Sequence, residues 1–186
     1  MKRFFDLLSS FLLLVLFFLP FVFIGILILI TSGFPILYWS ERVGKSNKIF
    51  LMPKIRTMKR GTPQLASHLI DNADSFYTPL GKFLRQYSID EIPQLFSVIQ
   101  GNMSFVGPRP ALFNQTDLIE LRNKFDICTL DPGITGWAQV NGRDELSIES
   151  KVNFDAEYLK RKSFCFDLYI IWLTLLKVIK RDGVTH

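Results

Sequence analysis

Adjacent carboxylates are the most reactive-looking feature of this chain. Asp90 and Glu91 stand in Ser88-Ile89-Asp90-Glu91-Ile92-Pro93-Gln94-Leu95. Two roles compete for them. Ser88-x-x-Glu91 matches a capping box, in which both polar residues only keep a helix end from fraying. Pro93 fits that poorly, because its missing N–H would fall past the first turn, and a helix start nearer Ile89 or Asp90 suits it better. The pair then lies at a positive helix end that favours ionised carboxylates. One ionised carboxylate can serve as a nucleophile while its neighbour binds a divalent metal.

The cations point the same way. Gly107-Pro108-Arg109-Pro110 fixes an arginine between two prolines, a low-entropy mount for a phosphate clamp. Pro132-Gly-Ile-Thr-Gly136 and Gln139-Val-Asn-Gly-Arg143 repeat the theme, with glycine turns whose backbone N–H groups could face an anion. Lys54 and Arg56 add fixed charge. Plain turns with solvated arginines are the bland alternative. Taken together, these groups suit phosphoryl transfer involving an anionic substrate. His68 and His186 are the only histidines, which disfavours a histidine triad or a zinc site. Cys128 and Cys165 lack paired spacing, and neither phosphate-loop nor dinucleotide glycine motifs occur.

The elements that must carry these residues follow from periodicity. Lys48 to Met58 reads as a strand, residues 61–80 as a loop, and Gly81 to Tyr87 as a short helix. Ile89 to Gln100 reads as a second helix stopped by Gly101. Ala111 to Phe125 and Ser147 to Lys162 are charged helices. Phe164 to Lys180 is an apolar helix, either a core element or one lying in a membrane interface with Lys177 and Lys180 on head groups.

Ahead of all this, Phe11 to Ile30 is an unbroken apolar run, and no charge occurs between Asp6 and Glu41. As a straight helix it would extend ~30 Å, about one hydrocarbon core. A spanning helix is the default reading, and a cleaved signal peptide is disfavoured by the length. A third reading is a helix that enters the bilayer and returns. Pro20 removes a backbone donor mid-run, and basic residues flank both ends: Lys2 and Arg3 before, seven within 41–60 after, against Glu41 alone. Both ends on the cytoplasmic side is the arrangement that charge pattern favours. Phe34 to Tyr38 makes an aromatic interfacial exit.

In a chain of 186 residues with 48% hydrophobic content and net charge +5, disorder is excluded. The length supports one domain with an appended element. The basic stripe at 41–60 suits anionic head groups or phosphorylated substrates, and no nucleic-acid-binding module is visible.

Four ordered motifs carry a resemblance over nearly the whole chain. They are Lys54-Ile-Arg56-Thr-Met58; Gly81-x-x-Leu84-Arg85-x-x-Ser88-x-Asp90-Glu91-x-Pro93-Gln94-Leu95; Gly101-Asn102-Met103-Ser104-x-Val106-Gly107-Pro108-Arg109-Pro110; and Pro132-Gly-Ile-Thr-Gly136-x-Ala138-Gln139-Val140-Asn141-Gly142-Arg143. The chain resembles the bacterial sugar transferases, the monotopic phosphoglycosyl transferases, in their minimal subclass without an additional membrane domain. The resemblance implies an α-rich α+β fold. Residues 1–40 would form a re-entrant, proline-broken helix hairpin with its break at Pro20. Residues 41–186 would form a small cytoplasmic catalytic domain with interfacial amphipathic helices.

It also implies a UDP-sugar donor, an undecaprenyl phosphate acceptor and Mg2+, with UMP as leaving group. Asp90 would be the nucleophile that carries a covalent phosphosugar, and Glu91 the partner associated with magnesium. Lys54, Arg56, Arg85, Arg109 and Arg143 would contact phosphate, while Asp155, Tyr158 and Asp167 match further family positions. Leu19 stands before Pro20 where some relatives have serine, and Arg56 replaces a lysine. The expected site is the cytoplasmic face of a bacterial inner membrane, with both termini cytoplasmic. Self-association or contact with pathway glycosyltransferases stays open. The rival from another class is a non-catalytic, basic, membrane-anchored protein that binds lipid or a partner.

Overall fold

The computed structural model describes residues 1–63, 73–142 and 145–180. The apolar run lies in α1 (Lys2–Ser32), a 31-residue helix with Pro20 inside it. Its length and composition suffice to cross a membrane. The element is not interrupted at Pro20. Most of its middle is exposed, including Phe11, Leu12, Val15, Leu16, Phe18 and Leu19, whereas Asp6, Ser10, Gly25 and Ile28 are buried.

Both ends of α1 are fastened to the rest of the chain. At the first turn, Lys2 Nζ donates to the Val106 carbonyl (3.0 Å) and the Tyr158 hydroxyl (3.1 Å) and pairs with Asp167 (2.8 Å). Arg3 donates to the Val98 and Ile99 carbonyls at 2.7 and 2.9 Å, and Ser104 to Asp6 at 2.9 Å. At the last turn, Arg56 donates to the carbonyls of Ser32, Gly33 and Phe34 at 2.7, 2.6 and 3.1 Å. These are carbonyls that a helix end leaves unpaired, and a cation suits them. Ile28 joins Ile55 and Leu84 in a small core, where full burial of one such side chain contributes ~1.5–3 kcal/mol.

After α1 come β1 (Leu37–Val43) and β2 (Ile49–Ile55), paired antiparallel with Leu37 opposite Ile55 and Val43 opposite Ile49. β1 thus takes up Leu37 and Tyr38, the end of the Phe34–Tyr38 stretch expected as an interfacial exit. Next come α2 (Ala73–Phe76), a single turn inside the expected loop, and α3 (Gly81–Gln86). Of that loop, residues 64–72 lie outside the described residues. The helix expected over 89–100 is divided into a 3-10 turn, Ile89–Glu91, and α4 (Gln94–Gln100). Pro93 explains the division: as the residue preceding α4 its missing N–H costs nothing, whereas inside one long helix it would break a bond. Gly101, at φ 89°, ends α4.

β3 (Ser104–Val106) pairs parallel with β5 (Gly133–Thr135), and β4 (Ala111–Leu112) adds to the free edge of β1, giving the order β2-β1-β4. The helix expected from Ala111 thus starts late, as α5 (Thr116–Lys124), because Ala111 and Leu112 pair with Val43 and Arg42. α6 (Trp137–Val140) and α7 (Ile148–Arg161) follow, the latter capped by Ser147, which accepts from the Ser150 N–H. α8 (Phe164–Lys180) buries Phe166, Asp167 and Ile170 and exposes Leu168, Trp172 and Leu175. One face of this helix thus lies in the main core, as the core reading expects, and the other is apolar and open. That core gathers Val106, Ile127, Val152, Tyr158 and Ile170. The fold is helix-rich α+β with one long apolar helix.

Candidate active site

Asp90 and Glu91 sit in the 3-10 turn between α3 and α4. Ser88, which precedes them, is left-handed (φ 53°, ψ 23°) and its side chain makes no capping bond, so the capping box does not form. What the turn does is place Asp90 inside, 5% exposed, with Glu91 beside it at the surface of β2.

Two separate segments converge on Glu91. Lys54 of β2 donates to Glu91 Oε1 at 2.8 Å, and Arg109 donates to the same oxygen at 3.0 Å. Alternation along β2 carries Lys54 inward on the same face as buried Met52. Arg85 of α3 donates to Thr57 Oγ1 at 2.9 Å, lies over the Tyr77 ring at 5.4 Å, and acts electrostatically on Asp90. Burial pushes the Asp90 carboxyl above its usual range and Glu91 adds to this, while Lys54, Arg85 and Arg109 pull it back. The helix-end argument for an ionised pair is therefore outweighed at Asp90 by burial. Burial also lowers Lys54, against the opposing pull of Glu91 and then Asp90.

The other candidates divide. Arg56 is held on the end of α1, away from Glu91. Arg143 lies outside the described residues. Of the stripe at 41–60, Lys45, Lys48, Lys59 and Arg60 are exposed, but Arg42, Lys54 and Arg56 are turned inward. The glycine turns bind no anion through Gly107 and Gly133. The Gly107 N–H donates to the Thr135 carbonyl (3.0 Å), and the Gly133 N–H to the Pro108 carbonyl (2.9 Å). A Cβ on Gly133 would collide with the Gly107 backbone, so these glycines let the chain after β3 lie close against β5. Asp155 takes Arg122, and Tyr158 donates to Asp167 at 2.6 Å within the Lys2 network.

Sequence reasoning missed Arg42 and Arg122. Each holds a carbonyl beside Arg109: Arg122 donates to the Arg109 carbonyl (2.8 Å), Arg42 to that of Pro110 (3.1 Å). No sequence signal marked Arg42: it shares a face with Tyr38 and Ser40, the more polar side of β1, and only the structure shows Ser40 buried.

Among the described residues no group of three His, Cys, Asp or Glu side chains forms a metal cage. Glu91, next to buried Asp90, is the carboxylate that would hold Mg2+, whose shell commonly takes one or two carboxylates with water and substrate phosphate.

The family model for the bacterial sugar transferases matches residues 1–181. The chain is 36% identical to the uncharacterized sugar transferase EpsL of Bacillus subtilis, over 99% of this chain and 90% of that one. It is 37% identical to the UDP-glucose:undecaprenyl-phosphate glucose-1-phosphate transferase of Escherichia coli, over 83% of this chain and 35% of that protein. To the undecaprenyl-phosphate galactose phosphotransferase of Salmonella typhimurium it is 33% identical, over 82% and 35%. The chain thus spans about a third of the length of these last two.

Proposed function

The chain belongs to the bacterial sugar transferase family, and from that premise we propose that it moves a sugar 1-phosphate from a UDP-sugar to undecaprenyl phosphate. The observation that carries this reading is the single Glu91 oxygen shared by Lys54 and Arg109, next to buried Asp90. Fixed cations around a shielded carboxylate are what a phosphoryl group in transit requires.

Asp90 attacks the sugar-bearing phosphorus. The pyrophosphate bond breaks, its bridging oxygen leaves with UMP, and an aspartyl phosphosugar remains. An oxygen of undecaprenyl phosphate then attacks the same phosphorus. The bond to Asp90 breaks, the carboxylate is restored, and the product is a lipid diphosphate sugar. Arg109, Lys54 and Arg85 hold phosphate oxygens, and because the substrates enter in turn one cation-lined site serves both. Glu91 orients Lys54 and Arg109 and would hold Mg2+ together with a substrate phosphate. When bound, that ion supplies charge neutralisation at the diphosphate. Burial of Asp90 keeps water from competing for the acyl phosphate.

Residues 1–40 form the membrane part in this reading, and 41–186 the catalytic part at the cytoplasmic face of the inner membrane. The hairpin reading of α1 is supported by its two fastened ends. A straight helix of 31 residues would part them by ~45 Å, yet both are bonded to one small domain, and Pro20 stands between them. A basic lipid-binding protein would have no use for Asp90 buried among cations.

Incubated in detergent with Mg2+, undecaprenyl phosphate and UDP-glucose, UDP-galactose or UDP-N-acetylgalactosamine, the protein is expected to release UMP with at least one donor. No release with any uridine donor would reject the reading. For topology, cysteines placed ahead of Met1 and at Lys45, with Cys128 and Cys165 changed to serine, should react with an impermeant maleimide from the same side. Labelling from opposite sides would make α1 a spanning helix.

A further inference from the structure

We infer that Arg122 and Arg42 are positioning residues for the Arg109 guanidinium, a role that rests on the transferase reading above. Arg109 has the geometry of a phosphate clamp, and its segment is held on one side by the Gly133 N–H on the Pro108 carbonyl and on the other by the pairing of Ala111 with Val43. It lies between β3 and the two-residue strand β4, and its prolines cannot donate backbone hydrogen bonds. Between those two points, two guanidinium groups grip the consecutive carbonyls of Arg109 and Pro110. Arg122 of α5 donates through NH1 to the Arg109 carbonyl at 2.8 Å, and Arg42 of β1 through NH1 to the Pro110 carbonyl at 3.1 Å.

Each arginine is itself fixed by its remaining nitrogens. Arg122 directs Nε and NH2 at Asp155 Oδ2, at 3.0 and 2.7 Å, and that carboxylate is 1% exposed on α7. Arg42 directs Nε at Ser40 Oγ, 3.0 Å away and buried. A planar fork that uses one edge for its anchor and another nitrogen for its load needs arginine, since lysine is a single point charge. The chain Asp155–Arg122–Arg109–Glu91 thus runs from α7 in the main core to the carboxylate pair. Neither Arg122 nor Arg42 bonds to Asp90 or Glu91. Arg122 acts on catalysis through the backbone of Arg109, where a displacement of an ångström can cost about 100-fold in rate, whereas the Arg42 charge also acts directly on Arg109 and Glu91.

The test is a double-mutant cycle on the full chain in detergent. UMP release is followed with whichever of UDP-glucose, UDP-galactose and UDP-N-acetylgalactosamine the wild type turns over fastest. Arg122→Gln is expected to lower kcat/KM for the donor about 30-fold, and Arg109→Gln by about as much or more. In the Arg109→Gln background, Arg122→Gln should cost less than about twofold further, because the group it positions is gone. Arg122→Lys should recover only part of the loss, and Asp155→Asn should reproduce most of it. Multiplicative losses in the cycle, or full activity of Arg122→Gln, would overturn the inference while leaving an active wild type and the transferase reading intact. A wild type inactive with every donor would instead remove the transferase reading. If Arg122→Gln does not fold, the same cycle with Arg42→Lys, which keeps the charge near Glu91 but loses the fork that joins Ser40 to the Pro110 carbonyl, decides the question.

Discussion

Asp90→Asn is expected to abolish UMP release, lowering kcat by about four orders of magnitude or more. The amide nearly preserves shape and can still accept hydrogen bonds, but it cannot form the acyl phosphate, so the loss reports the nucleophile and not the packing. The same substitution should raise thermal stability at neutral pH. Burial holds the Asp90 carboxyl above its ordinary range in the folded protein, which means the folded state prefers it protonated. For a group raised in this way, stability is complete below the unfolded value and falls as pH rises through the folded one. Asparagine carries no charge to penalise. Its melting temperature should therefore exceed that of the wild type at pH 7, and the gap should narrow as pH drops toward the unfolded carboxylate value of about 4. Undiminished turnover would remove Asp90 as nucleophile. A lower melting temperature at pH 7 would mean that Lys54, Arg85 and Arg109 need its charge more than burial opposes it.

That balance was only partly legible in the sequence. The carboxylate pair, Arg109 and Lys54 could be singled out because residue type and local spacing advertise them, and α1 because hydropathy is a local property. What the residues hold on to is not local. Arg42 looked like one more charge in a basic stripe, although its side chain faces the Pro110 carbonyl, 68 residues away. Arg56 looked like a phosphate ligand, and its guanidinium is occupied by the end of α1. Asp155 and Arg122 lie 33 positions apart on different helices.

The short strands were hidden for another reason. β3 and β5 have three residues each and β4 two, too few for alternation to register. The glycines around them read equally well as anion turns or as places of close backbone approach. Only the partner strand decides, since it takes up the N–H groups an anion would have used. The pairing Ser88-x-x-Glu91 misled in the opposite direction, a local pattern that the left-handed Ser88 backbone does not realise.

Glu91→Gln should lower kcat by about 100-fold or more, and three consequences of one lost charge separate its role from that of Asp90. First, Glu91 Oε1 is the shared acceptor for Lys54 and Arg109, so the variant leaves two cations facing a neutral amide. Lys54 and Glu91 are largely buried, their side chains 14% and 12% exposed, and breaking such a pair from one side typically costs about 3 kcal/mol. Arg109, 35% exposed, is screened by solvent and adds less. The variant should therefore melt at lower temperature, opposite to Asp90→Asn. Second, if Glu91 holds Mg2+ with a substrate phosphate, half-maximal activity will require several-fold more magnesium. Third, Glu91 raises the Asp90 carboxyl, and its removal lets that carboxyl ionise at lower pH. The acid limb of the residual activity should move down by a measurable fraction of a pH unit even as its height collapses. Glu91→Gln with wild-type turnover and wild-type magnesium dependence would reduce Glu91 to a structural counter-ion. A shift of the acid limb to higher pH would show that Glu91 acts on Asp90 chiefly by ordering Lys54 and Arg109, because losing those ordered cations would then outweigh losing a neighbouring negative charge.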